Sequence, residues 1–232
     1  MAGLKIPQPE NIQEAKKVRE ALKKKLLIAP LRKKPRLVAA ADASFFNDKV
    51  LAVACLFSYP ELELLDESIR IETVTFPYVP GYLSFREGPA IIKALRKLEK
   101  KPDLLILDGQ GTAHPQGFGL ACHVGVILNT PSIGCAKSRL VGDYEEPGAE
   151  RGSFSPLRFR GEVVGAALRT RDNARVLFVS PGHKVTLKDA VRVTLSCARG
   201  YRVIEPIRCT DAKTKHLKKL SLYKPVYCKK NT

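Results

Sequence analysis

Two aspartates interrupt or end strongly apolar segments of the sequence. Asp42 lies within VAAADASF, and Asp108 ends LLILD directly before Gly109. An ionised carboxylate in apolar surroundings is costly unless a cation or hydrogen bonds compensate it. If the two segments form neighbouring strands, the two carboxylates converge where α/β sheets bind ligands, beyond the carboxyl ends of the strands. Because oxygen ligands alone favour Mg²⁺ or Mn²⁺ over zinc, the pair predicts a divalent-cation site.

Each aspartate also has a purely structural explanation. Asp42 is compatible with a turn or with a buried salt bridge. Asp108 is compatible with an acid that closes a turn before Gly109. Taken one at a time, neither residue decides between a structural and a functional role.

The stretch FPYVPGYLSFREGP, residues 76–89, places an aromatic ring in a stiff turn. Pro77 and Pro80 fix the backbone on both sides of Tyr78, so the ring can be presented to a partner at a low ordering cost. We therefore expect an exposed ring. The alternative is a ring that packs into the core beneath the loop.

Glu87 lies on the same segment, and its position allows two different helix starts. Ser84 and Glu87 match the capping box Ser-x-x-Glu, in which the glutamate only binds a backbone N–H. Pro89 instead prefers the first position of a helix, which would place the helix start after Glu87. The sequence leaves both alternatives open.

The elements that must position these residues are strands and helices in alternation. Five apolar segments have the length and composition of strands: 36–46, 49–59, 61–76, 103–108 and 131–136. Helical periodicity marks four segments: about 9–28, 90–101, 118–130 and 186–200. Residues 162–180 predict an outer hairpin. This order predicts an α/β fold with a mixed central sheet, a three-strand antiparallel meander plus parallel strands, flanked by helices.

The net charge of +17 is concentrated at the two ends of the chain. Residues 1–36 hold 11 Lys or Arg against 3 acids, residues 199–232 hold 10 against 2, and the middle holds 19 against 18. We expect one domain over 1–232, with a basic N-terminal helix at about 9–28 and a basic C-terminal tail at about 215–232. Such ends favour a polyanion such as nucleic acid, whereas the alternative is a solvated basic surface.

Composition and cysteine spacing argue against several classes of protein. No apolar run approaches the roughly 18 residues of a membrane span, and MAGLKIPQPE lacks the apolar stretch of a secretory signal. The six cysteines form no Cys-x-x-Cys and lie mostly in apolar surroundings, which indicates reduced thiols. We expect a soluble, cytoplasmic protein that does not contact membranes and is a monomer.

Five stretches together resemble the endonuclease V family, the deoxyinosine 3′ endonucleases. They are ADASF (41–45), FPYVPGYLSFREGP (76–89), LDGQGTAHPQGFGLACHVG (107–125), IGCAKSRLVG (133–142) and VSPGHK (179–184). The resemblance implies a ribonuclease H-like fold and Mg²⁺-dependent cleavage of a strand near hypoxanthine. The implied cut is at the second phosphodiester bond on the 3′ side of the lesion.

The resemblance also assigns catalytic roles to individual positions. The family's metal-binding acids fall on Asp42, Glu87 and Asp108. Its active-site lysine falls on Lys137, where an ammonium beside the scissile phosphate would offset negative charge; the alternative is a surface lysine. Its turn histidine falls on His114, which either touches phosphate or is a loop residue bonded to backbone. A further site residue near the C-terminus, histidine in some members, falls on Asp211.

The base-recognition residues follow from the same resemblance. The family's wedge tyrosine falls on Tyr78, between Pro77 and Pro80. The resemblance implies that the backbone around Gly81, Leu83 and Gly109 forms most of the pocket for the base. The Leu140 side chain is implied to line it.

These residues predict a Mg²⁺-dependent endonuclease that acts on deoxyinosine-containing DNA, with Mn²⁺ able to substitute. The expected mechanism is hydrolysis assisted by one or two metal ions. The alternative enzymes are an inosine-specific endoribonuclease, whose partner is inosine-containing RNA, and another ribonuclease H-like nuclease. A non-catalytic basic nucleic-acid-binding protein would explain the charged ends, but it would leave Asp42 and Asp108 without a reason.

Overall fold

The computed structural model describes residues 4–223, with side chains described as far as residue 220. The strands in this range are β1 (Leu37–Phe46), β2 (Lys49–Ser58), β3 (Leu64–Thr73), β4 (Leu104–Leu107), β5 (Ser132–Ala136), β6 (Phe154–Phe159), β7 (Glu162–Leu168) and β8 (Leu177–Pro181). The helices are α1 (Ile12–Lys23), α2 (Leu83–Lys97), α3 (Leu120–Leu128), α4 (Leu187–Ser196) and α5 (Glu205–Tyr223).

The strands form one mixed sheet in the order β3-β2-β1-β4-β5-β8-β7-β6. β1, β2 and β3 form an antiparallel meander, and β4 and β5 continue it in parallel with β1. The predicted combination of a meander and parallel strands is therefore confirmed. Strands β2, β4 and β5 are buried over almost their whole length, which is why they appear in the sequence as continuous apolar runs.

Helices cover both faces of the sheet. On one face α2 and α3 pack on the central strands, for example Ile91 against the layer that contains Ala39. On the other face α4 and α5 do the same, with Ile207 in the core that contains Val38. β1 therefore lies between α2 and α5. No helix within residues 4–223 is long and apolar enough to cross a lipid bilayer.

Both basic ends differ in extent from the prediction. The N-terminal helix, expected over about 9–28, spans only Ile12–Lys23. It begins there because the Asn11 side chain caps it by accepting a hydrogen bond from the Glu14 amide at 3.0 Å. At the other end, residues 215–223 continue α5, and residues 224–232 of the predicted tail lie outside the described residues.

The predicted outer hairpin at 162–180 is correct in its pairing but wrong in its place. β7 and β8 pair antiparallel, yet β8 also pairs with β5 and is a fully buried inner strand. The edge strand next to β7 is β6, which was not predicted from the sequence. Pro156 within β6 is typical of an edge strand, because an edge strand tolerates the loss of one ladder donor.

Candidate active site

The two aspartates of the apolar segments lie side by side. β1 and β4 are parallel neighbours whose last registered pair is Ala41 with Leu107. Asp42 and Asp108 come directly after this pair, and the Asp108 amide donates to the Ala41 carbonyl at 3.5 Å. The condition that the sequence analysis set, that the two segments form neighbouring strands, is met.

Glu87 reaches the same place from within α2. Both predicted helix starts are wrong, because α2 begins at Leu83 and includes Glu87 and Pro89. No side chain caps this helix, and the Ser84 hydroxyl instead forms a 3.2 Å hydrogen bond with the His123 ring. Burial raises the pKa of Glu87 to about 8, and the charges of Asp42 and Asp108 contribute to the increase. The carboxyl of Glu87 therefore faces the other two acids.

Asp42 is destabilised as an anion by the same surroundings. Burial, then the charge of Asp108 and finally that of Asp211, raise the pKa of Asp42 to about 6. The Thr214 side chain and the Ala43 backbone act in the opposite direction and limit this increase in the pKa of Asp42. Thr214 lies on α5, so this helix also supports the site from the opposite face of the sheet.

Lys137 follows β5 and bridges two of the acids. Its Nζ lies 2.6 Å from Oδ2 of Asp108 and 3.2 Å from Oδ1 of Asp211. Burial acts to lower the pKa of Lys137, but the hydrogen bonds and charges of the two aspartates outweigh it, and the net direction is upward. We call Asp42, Glu87, Asp108, Asp211 and Lys137 the acid cluster.

The donor set of the acid cluster suits a hard divalent cation. Its three candidate ligands, Asp42, Glu87 and Asp108, offer only carboxylate oxygens, and a 2+ charge would relieve the repulsion that raises the pKa of Asp42 and Glu87. Within residues 4–220, no group of three or more His, Cys, Asp or Glu side chains is arranged to hold a metal ion. Asp108 is paired with Lys137 instead. The ligand assignment fits the chemistry and stays a prediction.

His114 lies apart from the acids. It is buried, and its Nδ1 accepts a hydrogen bond from the Gln116 amide at 3.3 Å. Burial and the charge of Arg19 lower the pKa of His114 to about 4, so the ring is neutral at pH 7. This is the arrangement expected of a loop histidine bonded to backbone. Its predicted contact with phosphate remains a prediction.

The turn over residues 76–82, which we call the wedge turn, presents Tyr78 to solvent. The Tyr78 side chain is 69% exposed, so the alternative of a ring packed in the core is wrong. The Arg86 guanidinium lies 5.7 Å from the Tyr78 ring centre and 4.9 Å from that of Phe45. Beneath the turn, the Phe76 and Phe85 rings pack at 5.7 Å in a buried cluster. Local packing therefore anchors an exposed ring.

The predicted base-pocket residues are small or exposed. Gly81 has φ +80°, and a Cβ there would lie 3.3 Å from the Gln116 side chain, so the position favours glycine. A Cβ on Gly109 would come equally close to Leu120. Leu83 and Leu140 are 41% and 54% exposed.

One amide links the loop that carries Gly109 to the loop that carries Leu140. The Gln110 side chain donates to the Ser138 carbonyl at 3.0 Å. Its Oε1 is buried without a hydrogen-bond partner.

The sequence analysis missed three residues that support these groups. Thr214 lies one helical turn after Asp211, and this spacing is the signal that could have indicated it. Arg86 lies directly before Glu87 and next to the wedge turn. Arg202 carries no local signal, because its contacts are with backbone carbonyls that are distant in the sequence.

Comparison with known proteins connects this site to a family. The family model of Endonuclease V matches residues 20–212. The chain belongs to the endonuclease V family. The endonuclease V of Geotalea uraniireducens is 47% identical over 217 residues, which cover 94% of this chain and 93% of that protein.

Solved endonuclease V structures share the fold. The endonuclease V of Streptomyces avermitilis aligns with a TM-score of 0.89 at 36% identity and covers 96% of this chain and 99% of that one. The endonuclease V of Ciona intestinalis was crystallised with a 23mer DNA containing an inosine followed by a ribo-adenosine. It aligns with a TM-score of 0.77 at 27% identity, and the alignment covers 90% of this chain and 98% of that one. The predicted family, fold class and nuclease character are confirmed: the chain is an endonuclease.

Proposed function

We propose that this endonuclease V cleaves DNA at deoxyinosine, at the second phosphodiester bond 3′ of the lesion, with Mg²⁺ as its cofactor and Mn²⁺ as a substitute. The observation that carries the proposal is the acid cluster, in which four buried or half-buried carboxylates and one lysine converge, while the segment that leads into α2 carries the exposed Tyr78. The inosine-containing DNA bound by the Ciona intestinalis relative supports the choice of substrate.

Each member of the acid cluster has a separate task in this proposal. Asp42, Glu87 and Asp108 hold the cation, which when bound supplies a nucleophile at neutral pH and offsets charge on the leaving 3′ oxygen. Lys137 places its ammonium beside the scissile phosphate, where it stabilises the negative charge that grows in the transition state. Asp211 gives that ammonium a second carboxylate partner besides Asp108. No covalent enzyme intermediate is needed.

The wedge turn has the task of exposing the base. An enzyme that reads the edge of one base in a duplex must take it out of the stack, which costs a few kcal/mol. Tyr78 fills the gap that the base leaves, while Pro77 and Pro80 limit the ordering cost. Gly81, Leu83 and Gly109 offer backbone groups to the extruded base, and Leu140 covers it.

The basic helices at the two ends supply affinity that does not depend on sequence. Lys16, Lys17 and Lys24 of the N-terminal region and Lys215 and Lys219 of α5 are exposed. Lysines on the surface neutralise phosphates and release counterions, so binding should weaken as salt rises. These contacts position the duplex, whereas the pocket selects the lesion.

The test is a cleavage assay on labelled duplexes that carry inosine, uracil, a mismatch or no lesion. Each is incubated with Mg²⁺, with Mn²⁺ or with a chelator, and the product length locates the cut. The inosine duplex should be cleaved with either metal, at the second phosphodiester bond on the 3′ side of the inosine. Cleavage in the chelator, or equal cleavage of the unmodified duplex, would contradict it.

A second candidate is an endoribonuclease that acts at inosine. The observation that favours it is the ribo-adenosine that follows the inosine in the DNA bound by the Ciona intestinalis relative. Single strands of inosine-containing RNA, included in the same assay, separate the two candidates. Faster cleavage of the RNA than of the matched DNA would favour the second candidate.

A further inference from the structure

Arg202 lies in the loop between α4 and α5 and binds backbone carbonyls next to the acid cluster. Its Nη2 donates to the carbonyls of Lys137 at 2.5 Å and of Val176 at 2.9 Å. Its Nε donates to the Arg175 carbonyl at 3.0 Å. Only a guanidinium does this, because it holds five N–H donors in a planar fork, whereas a lysine ammonium is a single point.

These carbonyls lie where the ladder between β5 and β8 ends. Ala136 with Phe178 is the last registered pair, so Lys137 and Val176 lie beyond the end of the regular pairing. Arg202 supplies hydrogen-bond donors at the place where the strands no longer do so. Arg202 is itself held in place, because the buried Thr170 hydroxyl donates to its carbonyl at 2.5 Å.

We propose that Arg202 is a positioning residue that fixes the backbone of Lys137, and thereby keeps the Lys137 ammonium between Asp108 and Asp211. A lysine side chain has four flexible bonds, so its charged end is precise only if its Cα is fixed. The guanidinium thus acts on the lysine side of the contact between Lys137 and Asp211.

Arg169 offers a matched control, because it binds carbonyls in the same way elsewhere. Its buried guanidinium donates to the carbonyls of Gly148 at 3.0 Å and Pro147 at 2.8 Å, and it pairs with Glu146 at 2.7 Å. These partners lie in the loop before β6, and a further one, the Ala174 carbonyl, lies in the loop before β8; none belongs to the acid cluster. Replacing Arg169 removes a comparable set of hydrogen bonds, none of which is made to Lys137.

The experiment is a double-mutant cycle, and it rests on the proposed function because it presumes that Lys137 acts on the scissile phosphate. Arg202→Ala, Lys137→Ala, the double variant and Arg169→Ala are compared by single-turnover cleavage of inosine DNA in Mg²⁺, by affinity in Ca²⁺ and by thermal melting. Arg202→Ala should lower the cleavage rate about 10- to 100-fold and leave the affinity nearly unchanged. In the Lys137→Ala background the same change should cost almost nothing. Arg169→Ala should lower the melting temperature but not the rate.

Arg202→Lys keeps the charge but loses the planar fork whose separate Nε and Nη2 donors reach the carbonyls of Arg175, Val176 and Lys137 together, so it should also lower the rate. It serves if Arg202→Ala does not fold. If Lys137→Ala lowers the cleavage rate but Arg202→Lys cleaves at the parental rate, the positioning role of Arg202 is overturned and the proposed function is not. An undiminished effect of Arg202→Ala in the Lys137→Ala background would have the same consequence. A parental rate in Lys137→Ala would overturn the proposed function of Lys137, and the inference with it.

Discussion

The acid cluster and the wedge turn are held in place by opposite means. The acid cluster gathers side chains from β1, α2, the end of β4, the end of β5 and α5, and burial and mutual repulsion raise the pKa of Asp42 and Glu87. The wedge turn is one contiguous segment that its own prolines and aromatic rings hold, and its tyrosine stays exposed. The cluster therefore holds unfavourable charge that a bound cation would relieve, whereas the wedge turn presents an exposed ring on a locally packed segment.

This difference predicts that substitutions in the acid cluster and in the wedge turn change different properties of the enzyme. Changes in the acid cluster should remove chemistry and leave DNA binding nearly intact, because most of the proposed phosphate contacts come from the basic helices at the two ends. Changes in the wedge turn should alter the preference for duplex over single strand and leave stability intact. The following substitutions test this prediction.

The largest effect is expected for Asp42→Asn and Asp108→Asn. Each removes a carboxylate charge at nearly constant shape, so cleavage of inosine DNA in Mg²⁺ should fall by about a thousandfold or more. Affinity measured in Ca²⁺ should stay close to that of the parent. Asp48→Asn, in the exposed turn between β1 and β2, is the control and should cleave normally. Cleavage near the parental rate by either cluster variant would contradict the metal assignment.

Lys137→Ala is expected to have the next largest effect. Its charge is directed at the transition state, so turnover should fall about 10- to 100-fold with little change in affinity. Lys93 is a close match for comparison: both side chains are 37% exposed, and each pairs with a carboxylate at 2.6 Å. Lys93→Ala should leave turnover unchanged. If affinity falls as much as turnover in Lys137→Ala, the residue is an ordinary phosphate contact.

Tyr78→Ala should change the preference for DNA form. Loss of one stacking contact, about 1–3 kcal/mol, should weaken binding and cleavage of the inosine duplex about tenfold, with a smaller effect on the single strand. The melting temperature should hardly change, because an exposed ring stabilises little. Tyr201→Ala is the control, since Tyr201 is also exposed and its ring centre lies 3.5 Å from the Arg208 guanidinium. Equal losses on both substrates, with a lower melting temperature, would contradict the wedge.

The smallest effect concerns the stability of the metal-free protein. The folded-state pKa of Glu87, about 8, lies above its ordinary value, so its contribution is present at low pH and lost as pH rises through about 8. Asp42 acts in the same direction through about pH 6. In a chelator, these two acids should therefore lower the free energy of unfolding of the parent as pH rises from 5 to 8.5, whereas the histidines with lowered pKa values, His114, His123 and His183, act in the opposite direction.

Glu87→Gln should remove part of that fall. At pH 8.5 the variant should be about 1–2 kcal/mol more stable than the parent, as measured by urea unfolding in the chelator. Glu63→Gln, on the surface, should follow the parent. A stability difference between Glu87→Gln and the parent that does not grow with pH over this range would show that the acids do not repel one another as inferred.

The sequence predicts the central strands because burial on both faces leaves a continuous apolar run. That pattern located the strand of Asp42 and the short strand before Asp108, and hence two of the five members of the acid cluster. Polar or proline-containing strands carry no such signal. β6, with Pro156, went unassigned, and the place of β8 next to β5 is decided by long-range pairing that no local pattern encodes.

The sequence did not predict the start of α2 or the residues that bind distant backbone carbonyls. Glu87 was placed before or at a helix start because Ser84 and Pro89 both carry boundary signals, yet packing of α2 on the sheet extends the helix through them. Arg202 could not be found from the sequence, because arginines that bind carbonyls have no spacing of their own. Its role emerges only when the ends of β5 and β8 are seen together.

The most direct measurement is calorimetric binding of Mn²⁺ to the DNA-free protein at pH 7.5. If Asp42 and Asp108 are ligands, the parent and the control variant Asp48→Asn should both bind Mn²⁺. Asp42→Asn and Asp108→Asn should each bind it at least about tenfold more weakly. Unchanged Mn²⁺ binding in both cluster variants would show that the acid cluster is not the metal site and would contradict the account at its centre.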